Sequence, residues 1–324
     1  MRVFKLVIVS FSAIIALLFT GCQTQTEPDT PPNIIFMMSD DHAYQAISAY
    51  GHGLNETPNI DRIANEGALF TRSCVTNSIC APSRAVLLTG KHSFKNGKVD
   101  NVQPFNWDQD NFAKLLQANG YQTALVGKIH LDGLPQGFDY SMVLPGQGHY
   151  YNPDFIVNGE RKRFEGYCSD LITEYTMEWL KEKRDTTKPF CLLYHHKAPH
   201  RNWKPGPKYL DLYDDKTFEP PSNYFDDYEG RGTAAKEQEM EVAEHMRWGH
   251  DFKFVTDPSG DSTGFTRELA RFNEQQLEDW MAAYNPKNEA LKEANLEGEE
   301  LAKWKFNRYI KDYLRTIKSV DDGV

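Results

Sequence analysis

The sequence predicts an α/β fold: a mixed, mostly parallel central sheet flanked by helices. Apolar runs at residues 33–38, 121–126 and 190–194 each end abruptly in polar residues, the pattern of strands covered on both faces. Between them, residues 111–119 and 168–183 carry apolar side chains at helical spacing, and each stretch is followed by a strand, as a crossover connection requires. With 324 residues the chain is long enough for one substantial packed domain.

The order along the chain begins with a targeting pattern. Residues 1–5 are basic, residues 6–18 are apolar but too few to span a bilayer as a helix, and Phe19-Thr20-Gly21-Cys22 resembles a bacterial lipobox. Residues 1–22 therefore read as a lipoprotein signal peptide with Cys22 as the lipidated residue. Polar, Pro-containing residues 23–32 read as a tether, and residues 33–324 as the folded part. The expected location is the bacterial cell envelope, periplasmic or on the outer membrane, with membrane contact only through the lipid.

The first strand closes on Ser39-Asp40-Asp41-His42. Ligands bind at the carboxyl ends of parallel strands, and adjacent carboxylates repel unless a cation or proton intervenes. Asp40 and Asp41 are thus candidates for a divalent metal, the alternative being a solvated strand-to-loop turn. Cys80-Ala81-Pro82-Ser83-Arg84 has proline in the first turn of a predicted helix that stops at Gly90. Cys80 then lies at a helix N-terminus, where exposed N–H groups favour an anion, and Arg84 lies on the same face. A buried structural cysteine beside a surface arginine is the alternative.

The second strand closes on Gly127-Lys128-Ile129-His130 and the third on His195-His196-Lys197-Ala198-Pro199-His200. A lysine or histidine beyond a strand is ordinarily a surface residue, but here three successive strands deliver such groups. The cations at 195–197 suit an anionic group on a substrate, or a solvated turn.

Taken together, these motifs resemble the type I sulfatases of the alkaline-phosphatase-like superfamily. The run from Cys80 to Arg84, continued by Leu88-Thr89-Gly90, is similar to their formylglycine signature, Cys-x-Pro-Ser-Arg followed by Leu-x-Gly. The resemblance implies that a maturation enzyme oxidises Cys80 to an aldehyde, whose hydrate attacks a sulfate ester. It implies calcium, with magnesium second, on Asp40, Asp41 and residue 80. Lys128 and His130 would then hold the sulfate, Arg84 would hold sulfate and diol, and His200 would face the leaving oxygen. The stretches 41–46 and 196–203 resemble bacterial sulfatases acting on glycans, including those that remove 6-sulfate from N-acetylglucosamine. His196, Arg201 and Trp203 are the candidate substrate contacts, an indole face suiting a sugar, with a core position the alternative for Trp203. Family members carry two further metal ligands and a second lysine after a later strand, so the chain is expected to be an N-terminal portion lacking the smaller C-terminal subdomain. Two other functions fit part of the pattern: a phosphoryl or phosphonate hydrolase of the same superfamily, and a truncated, non-catalytic lipoprotein that binds sulfated glycans.

A formal net charge of −10 and a pI near 5.5, with no basic stripe, exclude nucleic acid as an expected partner. The spacing of Cys74, Cys168 and Cys191 fixes no disulfide. Residues 203–307 are acidic and aromatic, show no clear strand, and read mostly as a solvated insertion, with a helix expected over 237–248 and a loop at 226–232 that either faces substrate or solvent.

Overall fold

The computed structural model describes residues 31–255 and 268–324. The expected signal peptide, Cys22 and most of the tether lie outside the described residues. The residues from Ile34 to Val324 form one unit.

Six strands, β1 (Ile34–Met38), β2 (Gln122–Lys128), β3 (Tyr140–Leu144), β4 (Asp154–Val157), β5 (Glu160–Arg163) and β6 (Phe190–His195), form one sheet in the order β1-β6-β2-β3-β4-β5. The pairs β1·β6, β6·β2 and β2·β3 are parallel, while β3·β4 and β4·β5 are antiparallel. Helices α1 (Cys80–Thr89) and α2 (Phe112–Ala118) lie between β1 and β2, and α3 (Cys168–Glu178) lies between β5 and β6, whereas residues 129–139 join the parallel pair β2·β3 without a helix. Helix α2 is capped by Asn111, whose side chain accepts from Lys114 N. Helix α3 runs on through a π-turn at Trp179–Lys183, matching the expected extent.

The continuous apolar runs have a packing cause. Along β2 and β6, Leu125, Cys191 and Leu193 face one layer with Ala81, Ala85 and Leu88 of α1. Ala124, Val126, Leu192 and Tyr194 face the other with Leu171, Ile172 and Trp179. Both faces are covered, so no alternation appears in the sequence. The expectation of full burial fails for β1, which among the described residues pairs only with β6. There Ile34 and Phe36 pack inward, while Ile35 and Met37 remain 44% and 38% exposed.

Residues 203–307 contain no strand among the described residues; 214–250 are mostly exposed, as a solvated insertion would be, while 251–254 and parts of 269–306 pack into a core. Helix α4 (Glu274–Ala294) starts from a capping box between Asn273 and Gln276. Its Trp280 and Tyr284 are buried with Tyr151 and Phe272, and Phe252 and Phe254 form a further aromatic cluster. The helix expected at 237–248 is absent. Met240 N donates to the Gln238 side chain and Arg247 N to the Asp251 carboxylate, so side chains take backbone donors that a helix would use. Helix α5 spans Gly298–Gly323 and buries Phe306, Ile310, Leu314 and Ile317. Among the described residues no helix is long and apolar enough to cross a membrane, and Cys74, Cys80, Cys168 and Cys191 are free thiols.

Candidate active site

The carboxyl ends of β1, β6 and β2 bring Asp40, His195 and Lys128 to one edge of the sheet. Backbone bonds tie the loops beyond them: His196 N donates to Met38 O at 2.7 Å, and Asp40 N to Ala198 O at 3.1 Å. Gly127 allows the approach. Its φ is +108°, and a Cβ there would meet the His195 carbonyl oxygen at 1.8 Å.

Helix α1 begins at Cys80, its N-cap residue Ile79 extended, with Ala81 N donating to the Asn101 side chain at 3.1 Å. One turn later Arg84 points inward and is only 2% exposed. Its guanidinium donates to the Lys128 carbonyl, lies 3.4 Å from His195 Nδ1, and stands 3.6 Å from Asp40 Oδ1. The Lys128 ammonium contacts the other Asp40 oxygen and the Gln147 side chain. Burial pushes the Asp40 carboxyl up, but Lys128 and Arg84 outweigh it and hold the group below its ordinary value.

Asp41 behaves differently. Its carboxylate is half exposed, 3.6 Å from His200 Nε2, and burial together with the charge of Asp40 raises its pKa. Tyr313 of α5 fixes this loop, donating to Asp41 O at 2.8 Å and accepting from Ala43 N at 2.7 Å. The donor atoms that converge within 4.8 Å are those of Asp40, Cys80 and His200. Asp41 stands beside this trio rather than in it. The oxygen donors nevertheless suit a hard cation: two adjacent carboxylates share this edge, and the charge of Asp40 raises the pKa of Asp41, a repulsion that a cation would relieve. Carboxylate oxygens are also better calcium ligands than the His200 imidazole, so Asp40 and Asp41 are the residues suited to hold it.

The Cys80 thiol is kept protonated. Burial raises its pKa, Lys128 opposes this, and Asp40 and Asp41 raise it further. Burial and then Lys128 push His130 down to about 4, and its Nδ1 is buried without a hydrogen-bond partner. His200 is likewise lowered to about 4 by burial, Lys128 and Lys197. Its backbone carbonyl accepts from Tyr150 Oη at 2.6 Å.

His200 opens onto a cavity of about 300 Å³ whose walls include Gln147, His149, Lys197, Arg201, His250 and Glu268. Arg201 reaches this cavity, held by Asp251 through Nε to Oδ1 at 2.7 Å and a parallel bond to Oδ2. Two of the expected substrate contacts do not reach it. His196 is fully buried against Tyr194, both ring nitrogens lack partners, and burial lowers it to about 3. Trp203 is 7% exposed and packs on Tyr309 at 4.8 Å and on Tyr313, with Lys253 over its ring. Both are core residues, because the chain after β6 turns under α5 before returning to the surface. The loop at 226–232 is not among the cavity walls; Arg231 there pairs with Asp226.

Sequence reasoning singled out Lys197 but missed Gln147, His149, Asp251 and Glu268. Gln147 had a usable signal, since it follows the carboxyl end of parallel strand β3, the same rule that located Lys128. Asp251 and Glu268 had none, being brought in by tertiary packing.

A helix-flanked, mostly parallel sheet with acids, a lysine and histidines at one strand edge defines an α/β protein with an anion-directed site there. More particularly, the family model for sulfatases matches residues 32–324, and the chain belongs to that family, with its alkaline-phosphatase-like fold. It is 44% identical over 316 residues to an N-acetylglucosamine-6-O-sulfatase of Bacteroides thetaiotaomicron, covering 95% of this chain and 56% of the relative. A solved structure of a protein in complex with its substrate D-glucosamine-2-N,6-O-disulfate superposes with a TM-score of 0.86 at 45% identity, covering 90% of this chain and 60% of that one. An ulvan-active sulfatase of Formosa agariphila is 31% identical over 204 residues, 59% of this chain and 40% of its own. The chain thus spans 40–60% of the length of these relatives.

Proposed function

We propose that this chain forms the nucleophile-bearing part of an exported enzyme that hydrolyses a sulfate ester on a glycan, with 6-sulfated N-acetylglucosamine or glucosamine as the substrate class. The observation that carries this reading is the place of Cys80: it opens a helix, lies beside Lys128 and Arg84, and its sulfur converges with donor atoms of Asp40 and His200 within 4.8 Å. Conversion of Cys80 to formylglycine by a maturation enzyme would put a hydrated aldehyde, a hydroxyl nucleophile, at that point. The substrate class rests on the 44% identical relative and on the disulfated glucosamine seen in the superposed structure.

Calcium on Asp40 and Asp41 would supply positive charge that polarises the sulfate and acidifies the attacking hydroxyl. The chain's own residues divide the remaining work. Lys128 and Arg84 neutralise the sulfuryl oxygens in a site that excludes most water. His200, at the cavity mouth, is placed to protonate the departing sugar oxygen; the negative charge of an incoming sulfate ester raises its low pKa toward the working range. His130 is suited to take the proton released when residue 80 expels the sulfate. The sum of the steps is sulfate ester plus water giving alcohol, sulfate and a proton. Arg201, oriented by Asp251, is a substrate contact on the cavity wall. Export and lipidation at Cys22 complete the reading on sequence grounds alone.

The test is peptide mass spectrometry on protein co-expressed with a maturation enzyme, together with release of sulfate from 6-sulfated N-acetylglucosamine. An aldehyde at residue 80 and release of the 6-sulfate are expected. An active preparation with an unmodified Cys80 would overturn the mechanism.

A further inference from the structure

A second cavity lies away from the candidate active site. About 480 Å³ in volume, it lies between α4, α5 and residues 214–217. Its walls carry Lys287, Lys303, Arg308, Lys311 and Arg315 but a single carboxylate, Asp214. On α5 the residues Trp304, Arg308, Lys311 and Arg315 recur at intervals of four, three and four, so one helix face supplies most of the wall.

The acids near the cavity are already engaged. Asp214 pairs with Lys287 at 2.7 Å and with Arg315. Asp312, behind the wall, accepts from Arg315 at 2.9 Å and Tyr284 Oη at 2.7 Å, and faces Lys253 at 3.7 Å. Arg308 and Lys311 have no carboxylate within ion-pair distance among the described residues. Arg308 is 6% exposed, its Nη2 donates to the Asn288 side chain, and its Nε is buried without a partner. Tyr284 and Trp304 lie 5.1 and 5.2 Å from its guanidinium carbon. Asp312 and Asp214 attract Arg308 from a distance, but neither reaches it within ion-pair distance, so the guanidinium has no direct counter-ion contact among the described residues.

We propose that this cleft is a second anion-binding site, in which Arg308 and Lys311 take a sulfate, phosphate or carboxylate group, with Lys287 and Lys303 at its rim. Trp304 and Asn307 add an aromatic edge and an amide suited to a sugar ring bearing that group. The site is separate from the reaction centre, because the opposite face of α5 is the one that presents Tyr313 to Asp41. If the sulfatase reading holds, the occupant is a second sulfate on the glycan chain, and the cleft anchors a substrate longer than one sugar. The anion site itself does not depend on that reading.

The experiment is calorimetric titration of the purified chain carrying Cys80→Ala, which binds without turnover, using sodium sulfate and, separately, a sulfated heparin hexasaccharide. Lys311→Glu and Arg308→Gln should each weaken one class of site by about tenfold or more and leave the other class unchanged. Tighter binding of the hexasaccharide than of sulfate at that class assigns the cleft to a glycan; equal binding assigns it to the free ion. Isotherms of both ligands identical in parent and Lys311→Glu would overturn the site. Arg308 is buried, so Lys303→Glu replaces Arg308→Gln if the latter does not keep the parent unfolding midpoint.

Discussion

Lys128 and Arg308 are both buried cations, yet the chain treats them differently. Lys128 lies at a strand end against the Asp40 carboxylate, which Arg84 also approaches. Arg308 lies in a helix–helix cleft with an amide as its polar partner and aromatic rings alongside. His196 shows a third treatment: buried with no partner at all, it stays uncharged. Burial is thus accommodated by a direct counter-charge, by a neutral form, or by an amide and aromatic rings with the opposite charges further off.

The largest expected effect separates the two cationic sites by chemistry. Cys80→Ala should lower turnover of an aryl sulfate by about 10⁴-fold or more, since it removes the nucleophile, while sulfate binding in the α4–α5 cleft persists. Initial rates and calorimetry on the same preparation check both halves; retained turnover would mean residue 80 is not the reacting group.

Breaking the internal pair comes next. Lys128→Met leaves Asp40 with only the more distant Arg84, and the loss of stability should be about 3–5 kcal/mol. Adding Asp40→Leu should recover most of it. Urea denaturation of the single and double variants measures this, and equal stability of the single variant and the parent would show that the pair contributes nothing.

For His196 the sign follows from its low folded-state pKa. Lowered to about 3 against an ordinary 6.5, the group binds more protons unfolded than folded between those values. Its contribution is therefore complete above pH 6.5 and is lost as pH falls toward 3, with a slope of about 1.4 kcal/mol per pH unit. His196→Phe should flatten the stability curve between pH 4 and 6 by that amount; an unchanged slope would mean the histidine is accessible when folded. The smallest effect is in the cleft, where Lys311→Gln should raise stability by no more than about 0.5 kcal/mol at low salt and by nothing measurable at 1 M salt.

Much of the sheet and of the reaction centre was legible because each part is local. A strand, its polar terminus and the next helix start are contiguous, so Asp40, Cys80, Lys128 and His200 could be read from short runs. Register alone then gathers them. The edge position of β1 was not legible, since Ile35 and Met37 look identical to core residues until the neighbouring strands are known. The packed parts of residues 203–307 were not legible because their core is made of scattered aromatics, Phe252, Trp280 and Tyr284, brought together without a repeating period. The Asn273-x-x-Gln276 capping box was the local signal that marked α4 and went unused. For Trp203 the sequence left sugar recognition and a core position both open, and its packing on Tyr309 and Tyr313 is the second of these.

The parallel pairing of β1 with β6 also sets an order of events during synthesis. Ile34 bonds in register with Cys191 and Met38 with His195, so the first strand cannot find its partner until most of the chain has been made. Such long-range parallel pairing is intrinsically slow. Through that interval residue 80 lacks the pocket that β1, β6 and β2 later close around it, because Asp40 and His200 are not yet held at one sheet edge. The topology that later encloses the reacting group first guarantees a period in which it is open.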